Sequence, residues 1–393
     1  MSTALDALDR PSRGFRQWWR ADTASGLALL IATAAALVWA NSPLGHAYHT
    51  IWETPVGWAS VGLRLELRHW VNDGLMVVFF FVIGLELKQE LTTGELARLR
   101  TAIVPALAAA SGAVLPALVF LAITRHGPAT AGWGIPMATD PAFAVGVLAL
   151  VARRAATGVR ALLLAIATVD DALAVTVIAL GYSSSINVKW LAAAVTGCLL
   201  VVLLRAAGVA QIWPYVPVAL AIWFATMQSG VHATIAGVVL ALLTPAKTVG
   251  GRAVLARLLR LLSPFSAFVV VPVFAIVNVG VELSVRATAA AFGTAVTWAV
   301  LAGLLVGKVV GITGTIILAE RSGLGELPKG VTRSDALGLG LLGALGFTVA
   351  LFITEIAYTD PALTEHAKIG IFIASIVGAM LAATVFTWSR SQR

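Results

Sequence analysis

Apolar residues recur along the chain in long blocks separated by short polar stretches. Twelve blocks stand out, roughly at 24–40, 70–89, 102–124, 132–152, 161–181, 190–207, 213–229, 231–246, 265–283, 294–318, 334–357 and 368–388. A helix rises 1.5 Å per residue, so about 20 mostly apolar residues cross a hydrocarbon layer ~30 Å thick, and most of these blocks have that length. The pattern predicts an all-α polytopic membrane protein of about 12 transmembrane helices. The seventh and eighth blocks are barely separated, around Ser229-Gly230. No stretch between blocks can hold a soluble domain, so residues 1–393 read as one transmembrane domain behind a polar segment, 1–23.

Two blocks carry breaks. In the fourth, GWGIPMATDPAFAVGVLAL, the fragment Thr139-Asp140-Pro141 suits a helix start: Asp140 can cap free N–H groups and Pro141 has none to lose. In the eleventh, ALGLGLLGALGFTVALF, Gly338, Gly340, Gly343 and Gly346 weaken the helix, although unbroken close packing would explain this block taken alone. Interrupted helices at corresponding places in two halves point to a transporter binding site built from inverted-topology repeats. The third to fifth blocks then answer the tenth to twelfth, which makes 102–181 and 294–388 the repeated core, with the fourth and eleventh helices discontinuous. Between the first two blocks, TPVGWASVGLRLELRHW alternates at period two over VGLRLELR, which predicts a small β-hairpin near 54–68. Its free edge could pair with a second copy; a hairpin without a partner fits the pattern equally well.

Composition agrees with a membrane class: 59% of residues are hydrophobic and 12% charged, where soluble domains average about 25% charged. The net charge of +8 could suggest nucleic acid, but the basic residues are scattered between apolar blocks rather than gathered in a patch. With both termini in the cytoplasm, most of the 27 Lys and Arg fall on the inner side, as orientation in a plasma membrane requires. Arg10, Arg13, Arg16 and Arg20 before ASGLALLIATAAALVWAN resemble a secretory signal, yet the apolar run is longer than a signal core and reads as an uncleaved first span. One cysteine, Cys198, excludes an intrachain disulfide and a thiol metal cluster.

Against this background, LLLAIATVDDALAVTVIAL carries Asp170 and Asp171 at its centre. An ionised Asp at the bilayer midplane costs about 2.5–3.5 kcal/mol, and two adjacent ones roughly double that before their repulsion. Lys308, in LAGLLVGKVVGITG, is equally central in the tenth block. Neighbouring helical residues point about 100° apart, so one Asp can pair with Lys308 while the other faces a watered path. A purely structural ion pair would explain Lys308 and one Asp, and would leave the other Asp and Asp140 without a purpose. Hard carboxylate oxygens at midplane suit a small hard cation. They also bind protons, and adjacent carboxylates titrate as a unit. A site that holds either a proton or a cation, never both, and that alternates between the two faces is an exchanger.

The stretches WVNDGLMVVFFFVIGLELKQEL, ATDPAFAVGVLAL, LAIATVDDALAV, SGVHATIAG, GLLVGKVVGI and GFTVALFI, in this order and spacing, resemble the NhaA-type sodium/proton antiporters of bacterial inner membranes over essentially the whole chain. That family is itself among the proteins on which the rule of inverted repeats rests. The resemblance implies twelve spans, with the fourth and eleventh unwinding and crossing at midplane. It implies Na+ or Li+ export in exchange for H+, with two H+ per Na+ making the cycle electrogenic, in the service of sodium and pH homeostasis, and no resident cofactor. Asp171 is then the principal carrier, Asp170 its neighbour paired with Lys308, and Thr139 and Asp140 further oxygen donors to the transient cation. By position, Asp140 and Lys308 also offset the partial charges of the broken helix ends. The hairpin matches the family's dimerisation element, which implies a homodimer in the lipid bilayer. Glu86, Glu90 and His232 match positions linked to the cytoplasmic funnel or pH response, where solvated or packed helix ends are sufficient explanations.

Some residues depart from the family pattern. Pro141 and Val309 follow the fourth-span Asp and the tenth-span Lys, and Leu259, Arg260 and Ser263 stand where pH-responsive members place Glu and His, which puts pH gating in question. Three other classes compete. A sodium-coupled solute symporter needs a polar pocket for an organic substrate, and few polar side chains accompany these Asp residues. An intramembrane aspartyl protease needs its dyad on facing helices, and a passive cation channel needs no proton-binding step.

Overall fold

The computed structural model describes residues 13–152, 157–183, 186–249, 253–282, 284–325, 327–328 and 330–391. These residues are helical almost throughout. In chain order the elements are α1 (Arg13–Ala40), α2 (Gly45–Glu53), strands β1 (Pro55–Val56) and β2 (Leu65–Glu66), α3 (Leu67–Thr93), α4 (Leu99–Thr124), a 3-10 helix (Pro128–Met137), α5 (Pro141–Val151), α6 (Thr157–Gly181) and α7 (Val188–Ala206). There follow α8 (Tyr215–Gln228), α9 (Thr234–Leu243), α10 (Val254–Asn278), α11 (Val285–Phe292), α12 (Ala295–Ser322), α13 (Arg333–Gly343), α14 (Phe347–Ala357) and α15 (Pro361–Ser391).

Every one of the twelve apolar blocks is largely helical, but length separates them. Among the described residues eight helices are long and apolar enough to cross a membrane, or up to ten if each sharply bent pair counts as one span. The seventh and eighth blocks form α8 and α9, of 14 and 10 residues, divided where Gly230 takes a positive φ of 82°. Helix α10 starts earlier than the ninth apolar block suggests, because ARLLRLLSPF is itself helical and continuous with the span. The hairpin is smaller than the alternation predicts. Only Pro55↔Glu66 and Val56↔Leu65 pair, and from Leu67 the chain is already helical, so the period-two pattern over VGLRLELR runs across a strand-to-helix junction.

Both anticipated breaks exist and differ in form. The 3-10 helix and α5 meet at a bend of 47° across residues 138–140. Between α13 and α14 the backbone leaves the helix only at Ala344, Leu345 and Gly346. Unpaired backbone is tolerated at membrane depth only where protein surrounds it. The stretch Arg333–Ala357 meets that condition: its apolar window is 94% buried, against 56% for the next most enclosed span.

Close packing around the breaks depends on missing side chains. On α12, Gly303, Gly307 and Gly311 recur every four residues along one face. A Cβ on Gly307 would lie 2.7 Å from Pro116 Cα, and one on Gly311 2.6 Å from the Ser111 carbonyl, so α12 rides directly on the α4 backbone. Gly84 and Gly237 bring α3 and α9 together in the same way, with only 2.4 Å between a Cβ on Gly237 and the Val77 carbonyl.

Candidate functional site

Asp170 and Asp171 lie in α6, and Lys308 ends a π-helical turn, Gly303–Lys308, inside α12. Such turns shift the side-chain register and recur at functional sites. Here the turn delivers Lys308, with no exposed surface, to the break in the fourth block. Its Nζ donates to Asp170 Oδ2 at 2.7 Å and to the Met137 carbonyl. Met137 is the last residue of the 3-10 helix, so the ammonium neutralises a carboxylate and caps the negative end of a half-helix together.

Asp140 does the converse. Its Oδ1 accepts from the Phe143 N–H at 3.0 Å, capping α5 with Pro141 in the first helical position. Its Oδ2 accepts from the Thr348 hydroxyl at 2.7 Å and the Thr348 N–H at 3.2 Å, in the first turn of α14. The two breaks are therefore tied through one carboxylate. Two further bonds reinforce the junction: the Asp140 N–H donates to the Leu345 carbonyl at 2.6 Å, and the Thr139 hydroxyl to the Gly343 carbonyl at 3.0 Å. Gly346 permits this approach, since a Cβ there would meet the Ala138 carbonyl at 3.0 Å.

Asp170 Oδ2 accepts a second bond, from the Thr139 N–H at 2.7 Å. Its Oδ1, and Oδ1 of Asp171, are buried without a hydrogen-bond partner. Buried carboxylate oxygens left unpaired are costly, and such atoms call for an explanation such as an ion or a proton. The two orphans are on adjacent residues, both within the protein, and the Thr139 N–H binds the other carboxylate oxygen of Asp170.

The structure thus brings together Thr139, Asp140, Asp170, Asp171 and Lys308. The other sequence candidates stand apart. Glu86 is exposed on α3, within electrostatic range of Asp171. Glu90 accepts from the Glu95 N–H at 3.0 Å and so stabilises the turn after α3. His232 sits in the turn before α9, where its Nε2 is 2.9 Å from the Tyr182 carbonyl. Leu259, Arg260 and Ser263 lie on α10, with Arg260 exposed. Sequence reading passed over Thr348 and the Met137 carbonyl. A threonine one residue beyond Gly346-Phe347 is a hydroxyl at a restarting helix, a signal visible in GFTVALF; the carbonyl leaves no trace in sequence.

Buried, paired ionisable groups where two interrupted helices meet, within a bundle of apolar helices, define a polytopic membrane transporter rather than an enzyme. The family described as Na+/H+ antiporter 1 matches residues 16–386, and the chain belongs to it. It is 43% identical to the Na+/H+ antiporter NhaA 3 of Frankia alni, over 96% of this chain and 89% of that protein. It is 41% identical to NhaA 1 of Erythrobacter litoralis (97% and 95% covered) and 43% identical to NhaA of Acidovorax sp. (98% and 94% covered).

Proposed function

We propose that this protein is a secondary active antiporter that exports Na+ or Li+ in exchange for H+, with two H+ entering per cation. It works in the bacterial inner membrane as a twelve-span protein whose repeats, 102–181 and 294–388, are inverted copies. Both termini are cytoplasmic, and the hairpin near 54–68 joins two copies. One observation carries the reading: the unpaired Oδ1 atoms of Asp170 and Asp171, on adjacent residues and enclosed where the broken helices meet.

The chemistry follows from competition. A proton on Asp171 satisfies its oxygens and removes its charge; a dehydrated Na+ does the same through Coulomb attraction, with Thr139 as a neutral oxygen donor. Neither can be held while the other is bound. Asp170 is held by Lys308, so a cation that recruits Asp170 must loosen that pair, and the lysine or aspartate exchanges a proton in turn. That supplies the second proton. Asp140, with both oxygens committed to helix starts, acts in this reading as the cap that fixes the crossing rather than as a ligand. Two protons inward against one cation outward moves one positive charge in, which an inside-negative potential favours by about 2.3 kcal/mol per 100 mV.

The test is collapse of a preformed pH gradient in everted membrane vesicles when Na+ or Li+ is added. Wild type should respond, Asp171→Asn should not, and Lys308→Ala should respond weakly. A full response from Asp171→Asn ends this account.

A further inference from the structure

The first half of the broken fourth span is a ten-residue 3-10 helix, Pro128–Met137. Runs of more than three or four residues are uncommon in this conformation because its hydrogen bonds are poorly aligned. This one also contains Pro136, and residues Gly127, Pro128, Thr130, Ala131 and Trp133 border an open recess of about 590 Å³. It needs support from another direction. Two tyrosines just beyond the ends of neighbouring spans supply it: Tyr182 after α6 and Tyr358 after α14.

The Tyr182 hydroxyl donates to the Ala131 carbonyl at 2.8 Å and accepts from the Gly134 N–H at 3.0 Å. The Tyr358 hydroxyl donates to the Ala129 carbonyl at 2.7 Å. Both rings press on the backbone where side chains are missing. A Cβ on Gly132 would lie 2.1 Å from Tyr358 Oη, and one on Gly134 2.8 Å from Tyr182 Oη. Trp133 stacks on Tyr182 with ring centroids 6.1 Å apart. Burial pushes both phenols above their ordinary range, so they remain protonated donors at any physiological pH.

We infer that Tyr182 and Tyr358 are positioning residues for the cation site. They fix the 3-10 helix, and with it the Met137 carbonyl that receives Lys308 and the Thr139 N–H and hydroxyl beside Asp170 and Asp171. This inference rests on the antiporter reading, because the quantity it concerns is cation affinity. A merely structural role predicts loss of stability and of maximal rate together; a positioning role predicts weaker binding in a stable protein.

The experiment compares wild type, Tyr182→Phe, Tyr358→Phe and the double variant. Na+ and Li+ dependence of exchange is measured in everted vesicles, Li+ binding to purified protein by calorimetry, and melting temperature in detergent. Removing one such hydrogen bond should raise the half-saturating cation concentration and the Kd by about 2- to 10-fold, and the double variant should show more, with maximal rate kept. Unshifted affinity in all three variants, or a fall in melting temperature and rate without an affinity change, overturns the positioning role. Absence of any Na+-driven exchange by wild type would instead sink the antiporter reading on which it rests.

Discussion

Thr348 and Asp140, 208 residues apart in sequence, share one hydrogen-bonded corner: hydroxyl and N–H of the threonine both donate to Oδ2 of the aspartate, at 2.7 and 3.2 Å. One carboxylate therefore serves the positive ends of two half-helices. Thr348→Val keeps the size but removes the hydroxyl, and loss of a capping bond costs about 0.5–2 kcal/mol. A buried bond to a charged partner lies at the upper part of that range. The melting temperature should fall in Thr348→Val and return in Thr348→Ser, which restores the donor. Equal melting of the valine and wild-type proteins would mean that the backbone N–H alone suffices.

The Lys308–Asp170 pair is fully enclosed, so removing one partner leaves an uncompensated charge. Lys308→Ala should destabilise by about 3–5 kcal/mol, and much of that loss should be recovered by adding Asp170→Asn, which removes the stranded carboxylate. Thermal unfolding of the two single variants and the double variant gives the coupling directly. Additive losses would show that the pair is not an energetic unit.

Glycines on α12 differ in what surrounds them. Gly307→Ala forces a Cβ to within 2.7 Å of Pro116 Cα, a backbone atom that cannot step aside, whereas Gly314 has nothing within 4 Å of that position. Overpacking costs about 1–3 kcal/mol, while alanine in an open helix position gains about 0.8–1.0 kcal/mol. Gly307→Ala should therefore melt lower than wild type and Gly314→Ala slightly higher. Matching effects at both positions would remove the close-packing argument for α4 and α12.

Much of this arrangement was legible in the sequence, and the reason is the solvent. In a bilayer a charge needs a purpose, so Asp140, Asp170, Asp171 and Lys308 stood out, and Pro141 and the glycines around 343–346 marked where helices could not run straight. What escaped was geometry carried by backbone. The Met137 carbonyl, the π turn that aims Lys308, and the phenols of Tyr182 on Ala131 and Tyr358 on Ala129 depend on where segments meet. The length of α9 escaped for a similar reason: an apolar block of about 16 residues gives no sign that its first three and last three residues are non-helical, and about 20 residues would be needed to span unaided. The short hairpin escaped because period-two alternation from Val61 to Arg68 is also compatible with one strand pair followed by a helical turn.

The proposed competition between protons and sodium at the Asp170–Asp171 pair has a quantitative signature. Cation binding that displaces one proton makes the half-saturating Na+ concentration rise about tenfold for each unit by which pH falls, and displacement of two makes it rise about a hundredfold. The sign is fixed by mass action: acid favours the protonated pair, so more Na+ is needed. Two carboxylates and a lysine meeting in one enclosed site can release two protons, whereas Asp171 alone releases one. Half-saturation measured across a pH series, at a potential clamped with valinomycin and potassium, should therefore approach the steeper limit where the site is fully protonated. Under the same clamp, exchange should speed up as the interior becomes more negative. A slope of one together with indifference to potential would reduce the cycle to an electroneutral exchange through Asp171, with Lys308 and Asp170 serving only to hold the broken helices in place.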